Sequence, residues 1–280
     1  MTQQEITKEL LYVGIRSINY DSLLIALGSL KEKSIQENSE EKAKEIWVLE
    51  QIAEIQQGYQ IIFNALKSRE YYEAWCDLER LEIKFQGLKK HFSYNEEEYK
   101  LAFIEKCITN LQAIYPYSLF FSSEIVELEK KCNICNKVLS VRNPCNHKVG
   151  EIYKGEYCLR IISDFKVIGV AIVNNPVHKY SVAFFKDETT GDTKDQYNYV
   201  AIDYLMNRLN STFEDWDLEI EYKFIPHEYF SGYGTDDFCP CNSGDKYNEC
   251  CLSNPGVRHL NYEFIVKNPS DLKVLTNTIK

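Results

Sequence analysis

Two clusters of sulfur-bearing side chains set the chemistry open to this sequence. The run Cys239-Pro240-Cys241-Asn242-Ser243-Gly244-Asp245-Lys246-Tyr247-Asn248-Glu249-Cys250-Cys251 spaces four cysteines as C-x-C-x8-C-C. Pro240 fixes its own φ at about −65°, which helps present the two flanking sulfurs to one point. Ser243-Gly244 supplies a turn, so the chain can double back and bring Cys250 and Cys251 to that point. Adjacent cysteines do not readily bridge each other, but both can ligate one ion. Four soft thiolates closing a tetrahedron select Zn(II), with Fe(II) as the competitor.

The second cluster lies mid-chain, with Cys132 and Cys135 followed by Cys145 and His147, a C-x2-C-x9-C-x-H spacing. Its first half presents two thiols from one tight turn, and its second half is another short turn opened by Asn143-Pro144. Together they can complete a closed, structural site of three cysteines and one histidine. Cys158 is a fifth available donor. His147 is favoured over it as fourth ligand because its sequence position holds it beside Cys145. The alternative for both clusters is a set of reduced thiols without a metal. With metal bound, a four-thiolate zinc centre carries −2 and a three-thiolate, one-imidazole centre −1, taking the formal charge of −10 to about −13.

The C-terminal run resembles the SEC-C motif, a short zinc-binding module found at the C-terminus of the translocation motor SecA and in many otherwise unrelated bacterial proteins. The residues that carry the resemblance are Cys239, Pro240, Cys241, Ser243, Gly244, Tyr247, Cys250 and Cys251. Asn242 stands where the motif usually has glycine, and Asp245 and Glu249 stand where it usually has basic residues. The chain as a whole is similar to bacterial SEC-C, or zinc-chelation, proteins, in which a helical N-terminal region precedes a C-x2-C…C-x-H cluster. That similarity extends from His147 through Gly150, Tyr153 and Gly155 to Cys158. It implies two zinc ions per chain, a cytoplasmic setting, and a module that docks on a protein or ribosome-associated partner.

Composition narrows the class. A chain of 280 residues can bury a sizeable core and hold two or three small domains. It has no apolar run of membrane-spanning length, and Glu5 and Glu9 sit where a signal peptide would be apolar. Seven of its ten cysteines fall inside the two clusters, which reads as metal binding in a reducing cytoplasm rather than as a disulfide framework. The remainder are Cys76, Cys107 and Cys158. An acidic chain without a basic block offers little counterion release to a nucleic-acid duplex, so duplex binding is not expected.

The elements that must position the clusters follow from periodicity. Residues 1–130 read as helices throughout: a stripe through Leu10 and Ile15, another through Leu23, Leu27 and Leu30, a polar loop from Lys31 to Ser39, and a long helix from Ser39 through Ile46, Ile52, Tyr59 and Leu66. A further helix carries Trp75, Leu78, Leu81 and Leu88, and Ser93 with Glu96 predicts a capping box opening a helix that ends before Pro116. The simplest assembly is an antiparallel helical bundle. Beyond residue 150 the period shortens. Val167–Val173 and Tyr180–Phe185 predict a hairpin broken at Asn174-Asn175-Pro176, Tyr197–Leu209 a helix, Leu218–Phe224 a half-exposed strand, and Asn261–Lys267 a last strand. The expected fold is α+β: a bundle over 1–130, a zinc-knuckle α+β domain over 131–230, and the SEC-C motif with a C-terminal strand over 231–280.

No catalytic set accompanies these elements. Four cysteine ligands leave no open coordination position, and His147 is followed by Lys148 and Val149, so the H-x-E of zinc deaminases is missing. Arg142 and His147 match the Arg-x4–6-His spacing of helical-bundle ribonucleases, but inside a loop where His147 has a role as ligand. His91, His178, His227 and His259 are isolated in sequence, and the aromatics Tyr71, Tyr72, Trp75, Tyr115, Tyr117, Phe120 and Phe121 fit packing better than base stacking. The reading is a non-catalytic, zinc-stabilised binding protein; its rival is a nucleic-acid-acting enzyme with the helices as effector.

Overall fold

The apolar spacing of residues 1–114 resolves into five α-helices in a computed structural model, which describes residues 1–96, 98–241, 243–267 and 276–277. Helix α1 (Gln3–Leu11) opens with a capping box, in which the Thr2 hydroxyl accepts from the Glu5 N–H and the Glu5 carboxylate accepts from the Thr2 N–H. Helix α2 (Tyr20–Gln36) begins at Asn19, whose Oδ1 accepts from the Ser22 N–H at 3.0 Å. The loop expected from Lys31 to Ser39 shrinks to residues 37–39. Lys31 extends the helix because its Nζ reaches Glu50 at 2.8 Å, and the chain reverses at Asn38, whose φ of 53° suits a short polar side chain.

Helix α3 (Glu40–Lys67) is the long helix predicted from Ser39. Half of its 28 residues are buried, including Ile46, Trp47, Ile52, Tyr59, Ile62 and Leu66, so it is covered on more than one side. Helices α2 and α4 (Tyr71–Leu88) both pack against it. Helix α5 (Leu101–Ile114) starts later than the Ser93 capping box predicts. The Asn95 side chain instead accepts from the Glu98 N–H at 2.9 Å, and Tyr99 and Lys100 both take positive φ, so the helix cannot begin before Leu101. It ends one residue ahead of an extended Tyr115, as Pro116 requires.

One buried amide ties three of these segments together. Gln56 on α3 accepts from the Tyr20 hydroxyl at 3.3 Å, and its Nε2 donates to the carbonyls of Leu10 at 3.0 Å and Tyr99 at 2.9 Å. Both carbonyls lie at helix ends, where the regular ladder runs out; Leu10 accepts a long 3.4 Å bond from the Val13 N–H beside the Gln56 amide.

The helical reading of residues 1–130 fails at Phe120. Strand β1 (Phe120–Cys132) pairs antiparallel with β4 (Arg160–Val173), with bulges at Leu128, Ser163 and Ile168. The predicted hairpin of 167–173 with 180–185 does not form. Val182 bridges Phe120 instead, on the edge of β1 opposite β4. Between β1 and β4 lie the first cysteine cluster and a tight hairpin of β2 (Ile152–Tyr153) with β3 (Glu156–Tyr157). A small hairpin of β5 (Phe185–Lys186) and β6 (Thr193–Lys194) turns at Gly191, φ 74°.

The chain divides into two compact units, Met1–Tyr199 and Val200–Lys280. The second holds α6 (Val200–Met206), β7 (Trp216–Ile225), β8 (Val257–Val266) and β9 (Thr276–Asn277), with β8 between its two neighbours. Helix α6 is shorter than the predicted Tyr197–Leu209: the Asp195 carboxylate accepts from the Tyr197 N–H, and the Tyr197 hydroxyl donates to the Ala183 carbonyl, so those residues leave the helix. β8 begins at Val257, earlier than the strand predicted at Asn261. The architecture is α+β with small antiparallel sheets, and among the described residues no helix is long and apolar enough to cross a membrane.

Gln56→Leu keeps the volume but removes the side-chain donor to the Leu10 and Tyr99 carbonyls and the acceptor of the Tyr20 hydroxyl. It should cost about 1–3 kcal/mol in urea-induced loss of the helical circular dichroism signal.

Candidate metal centres

The first centre is assembled from two turns that project from the β1–β4 ribbon. Cys132 ends β1, and the following turn is closed by the Asn136 N–H donating to the Cys132 carbonyl at 2.8 Å, with Asn136 at positive φ. A bridge between Lys131 and Val138 folds the turn back on the strand. The second turn brings Cys145 and His147 against the first. The ligand atoms of Cys132, Cys135, Cys145 and His147 all lie within 4.8 Å of one another, and Cys132 Sγ is 3.7 Å from His147 Nδ1. A zinc ion with bonds of about 2.3 Å to sulfur and 2.0 Å to nitrogen needs ligand atoms roughly 3.5–3.8 Å apart, so the set fits a tetrahedron.

Of the residues that hold this centre in place, Tyr153 and Gly155 lie in the stretch that carries the resemblance, while Arg160, Asn133, Trp47 and His91 were not singled out as supports by the sequence. The Arg160 guanidinium donates to the His147 carbonyl at 2.5 Å and to Cys158 Sγ at 3.4 Å. The Asn133 side chain ties its turn to the strand beyond, donating to the Tyr157 carbonyl and accepting from the Leu159 N–H, both at 2.8 Å. Tyr153 packs edge-on against the His147 ring, and its hydroxyl accepts from the Lys148 N–H. The β2–β3 hairpin then docks the assembly on the helices: Tyr157 stacks on Trp47, and His91 packs edge-on against both. His91 Nε2 lies 2.7 Å from the Gly150 carbonyl, which can only accept, so Nε2 carries the proton. Gly155 takes φ 69°, which strains any side chain, and a Cβ there would crowd Lys31 Cδ at 2.6 Å and the Ala43 carbonyl at 3.0 Å.

Cys158 is buried beside this centre but outside the set of four. Burial and the neighbouring Cys132 thiol both push its ionisation up, against the pull of Arg160.

The second centre is local in sequence. Ligand atoms of Cys239, Cys241, Cys250 and Cys251 lie within 4.8 Å of one another, with Sγ separations of 3.5 Å for Cys241–Cys250 and 3.8 Å for Cys250–Cys251. The Cys239 N–H donates to the Asp245 carbonyl and Gly244 takes φ 85°, which makes the turn that returns the chain. Tyr247 is buried against Cys239, Cys251 and Val257. His227 clamps the far side: Nε2 donates to the Asn254 carbonyl at 2.8 Å, which leaves Nδ1 to accept from the Tyr247 hydroxyl at 2.5 Å. The Arg258 N–H points at Cys251 Sγ at 3.5 Å. A side chain at Gly256 would strike the Ile225 carbonyl, so only glycine lets β8 leave the centre alongside β7.

Each set has one thiol poised to ionise. Burial opposes ionisation of Cys132, but N–H donors from Cys135 and Ile134 outweigh it and hold the thiol at about 6. Cys241 is likewise held at about 6 against burial, chiefly by the Ser243 hydroxyl. Cys251, deeper, is pushed up to about 12 by burial. A first thiolate is therefore available at neutral pH, and a bound cation would draw off the remaining protons.

The two histidines that bear on the centres without joining them, His91 and His227, were isolated in sequence and gain their roles from the fold. Arg142 is exposed in the loop that carries Cys145. His178 stacks on Tyr180, and His259 on Phe230. Comparison with known proteins gives no match: no family model matches the sequence, and no curated protein or solved structure matches the chain.

Purified, unreconstituted protein should contain two metal ions per chain by elemental analysis, and serine at any one of the seven cluster cysteines, or His147→Ala, should remove one. Cys158→Ser should keep both; the reverse pattern at Cys158 and His147 would show that the fourth ligand is Cys158. Acidification should promote release of metal to a chromogenic chelator, because protons compete with the metal for the ligand thiols and for His147.

Proposed function

We propose that this chain is a non-catalytic binding protein in which two zinc-held loops present fixed surfaces to a protein or ribosome-associated partner. The observation that carries the reading is the closure of both sets: four donors converge in each, leaving no position for a substrate or an activated water. A closed four-ligand centre supplies rigidity where loops are too short to bury a core of their own, and Lewis-acid catalysis has no entry there. The ligands are Cys132, Cys135, Cys145 and His147 in one centre and Cys239, Cys241, Cys250 and Cys251 in the other. Zinc is the metal favoured by such donors, with Fe(II) the competitor at the all-cysteine centre.

The C-terminal set belongs, on this reading, to the SEC-C type, in a bacterial protein of the cytoplasm. What supports that is the motif spacing together with a turn at Ser243-Gly244 and a buried Tyr247. Helices α1–α5 act as an antiparallel bundle that serves as a platform, with residues 131–230 and 231–280 carrying the two docking loops. Trp47 and His91 link that platform to the first centre, so a partner held at the loop is held rigidly to the helices.

The decisive experiment is affinity capture from native lysate with metallated and chelator-treated protein. A partner recovered only with the metallated chain supports the docking role, and identical recovery with both refutes it. In parallel, chelation should leave helical circular dichroism intact while speeding proteolysis within 132–158 and 239–251. The free energy of a structural zinc site, on the order of 10 kcal/mol, is spent on folding its own loop.

A further inference from the structure

Within the first unit, the β1–β4 ribbon has an apolar side left exposed among the described residues. Residues opposite one another in an antiparallel pair project to the same side, and neighbours along a strand alternate. The register, followed through the bulges, places Phe121, Ile125, Phe165, Val167, Val170 and Ile172 on one side. Each is between 39% and 63% exposed. The other side is mixed: Glu124, Glu129, Lys131, Asp164 and Lys166 share it with Val126 and Ile161, so charges interrupt its apolar residues. An isolated two-stranded ribbon is marginal in water unless its apolar face is covered.

We propose that a second copy of this chain covers it, the two ribbons stacking apolar side to apolar side about a two-fold axis. Charge favours a copy over a charged partner. The chain is acidic overall, but Glu127 and Lys130, which share the apolar side, pair with each other at 3.1 Å. The remaining charge on that side, Arg160 at its end, is engaged by the His147 carbonyl, so the side carries no cluster of like charge to repel a second copy. The area is sufficient. Six such side chains expose on the order of 600 Å² per copy, so stacking two copies removes roughly 1,200 Å², where stable interfaces begin. Edge-to-edge pairing is the poorer route. The outer edge of β1 is already engaged at both ends by Val138 and Val182, and β4 is bent by bulges at Ser163 and Ile168 with Asp164 and Lys166 between them. Bulges and charges of this kind discourage addition of a further strand.

Sedimentation velocity of the full metallated chain over a concentration series tests this. The chain should sediment as a dimer that dissociates on dilution. Val170→Lys, at a position already largely exposed in one copy, should fold normally and raise the dissociation constant by at least about tenfold, because it places an unpaired charge in the contact. Lys166→Glu, on the opposite side, should leave association unchanged. Photoreactive benzoylphenylalanine at Phe165 should crosslink two copies in cells, and at Lys166 should not. A monomer at every concentration, equal association by Val170→Lys, or crosslinking from position 165 to a different protein would each overturn the proposal.

Discussion

Burial of α3 on several sides is the constraint on which the first unit rests. A helix with apolar residues around much of its circumference cannot satisfy itself at a surface, so α2, α4 and α5 must close around it. That closure positions everything that follows. Gln56 can be buried only because two chain ends bring carbonyls to it, and Trp47 presents a ring at the helix's N-terminal half against which Tyr157 stacks. The first candidate centre is thus fixed to the helices by aromatic packing and by Lys31, which joins Glu50 on α3 to Glu156 in the hairpin. The two ends of the molecule's chemistry, thiols in a loop and a hydrocarbon core, are coupled through a few residues.

The second centre is built differently. Its ligands, its turn at Gly244 and its buried Tyr247 all fall within thirteen residues, and its outer supports, His227 and Arg258, come from the flanks of β7 and β8. It needs no helix. The contrast explains why one centre can be described from its own sequence while the other needs anchors from residues 31–160.

Between the helices and the first centre runs a ribbon whose two sides differ in kind. The bulges at Leu128, Ser163 and Ile168 shift the alternation so that apolar residues separated irregularly in sequence share one side. In the linear sequence those residues look like two unrelated hydrophobic stretches, one of them at the end of a helical region.

The sequence by itself determined the local features of this protein. A helix with a one-sided 3.6-residue stripe, such as α4, is written in spacing, because burial on one face needs only neighbours along the same segment. The cysteine clusters are legible for the same reason: two ligands from one turn are set by bond geometry over a few residues. Tertiary structure decided what depends on distant partners. Residues 120–130 form a strand because β4 supplies the ladder; Val167–Val173 pairs with β1 rather than with 180–185 because Val182 is drawn to the other edge. Asn95, not Ser93, governs the entry to α5, where Tyr99 must turn its carbonyl to Gln56. His91, Arg160 and His227 became supports of the centres only on folding, since a hydrogen bond across tens of residues leaves no mark in spacing. Local geometry is encoded where the covalent chain enforces it, and long-range pairing is settled only when burial brings the partners together.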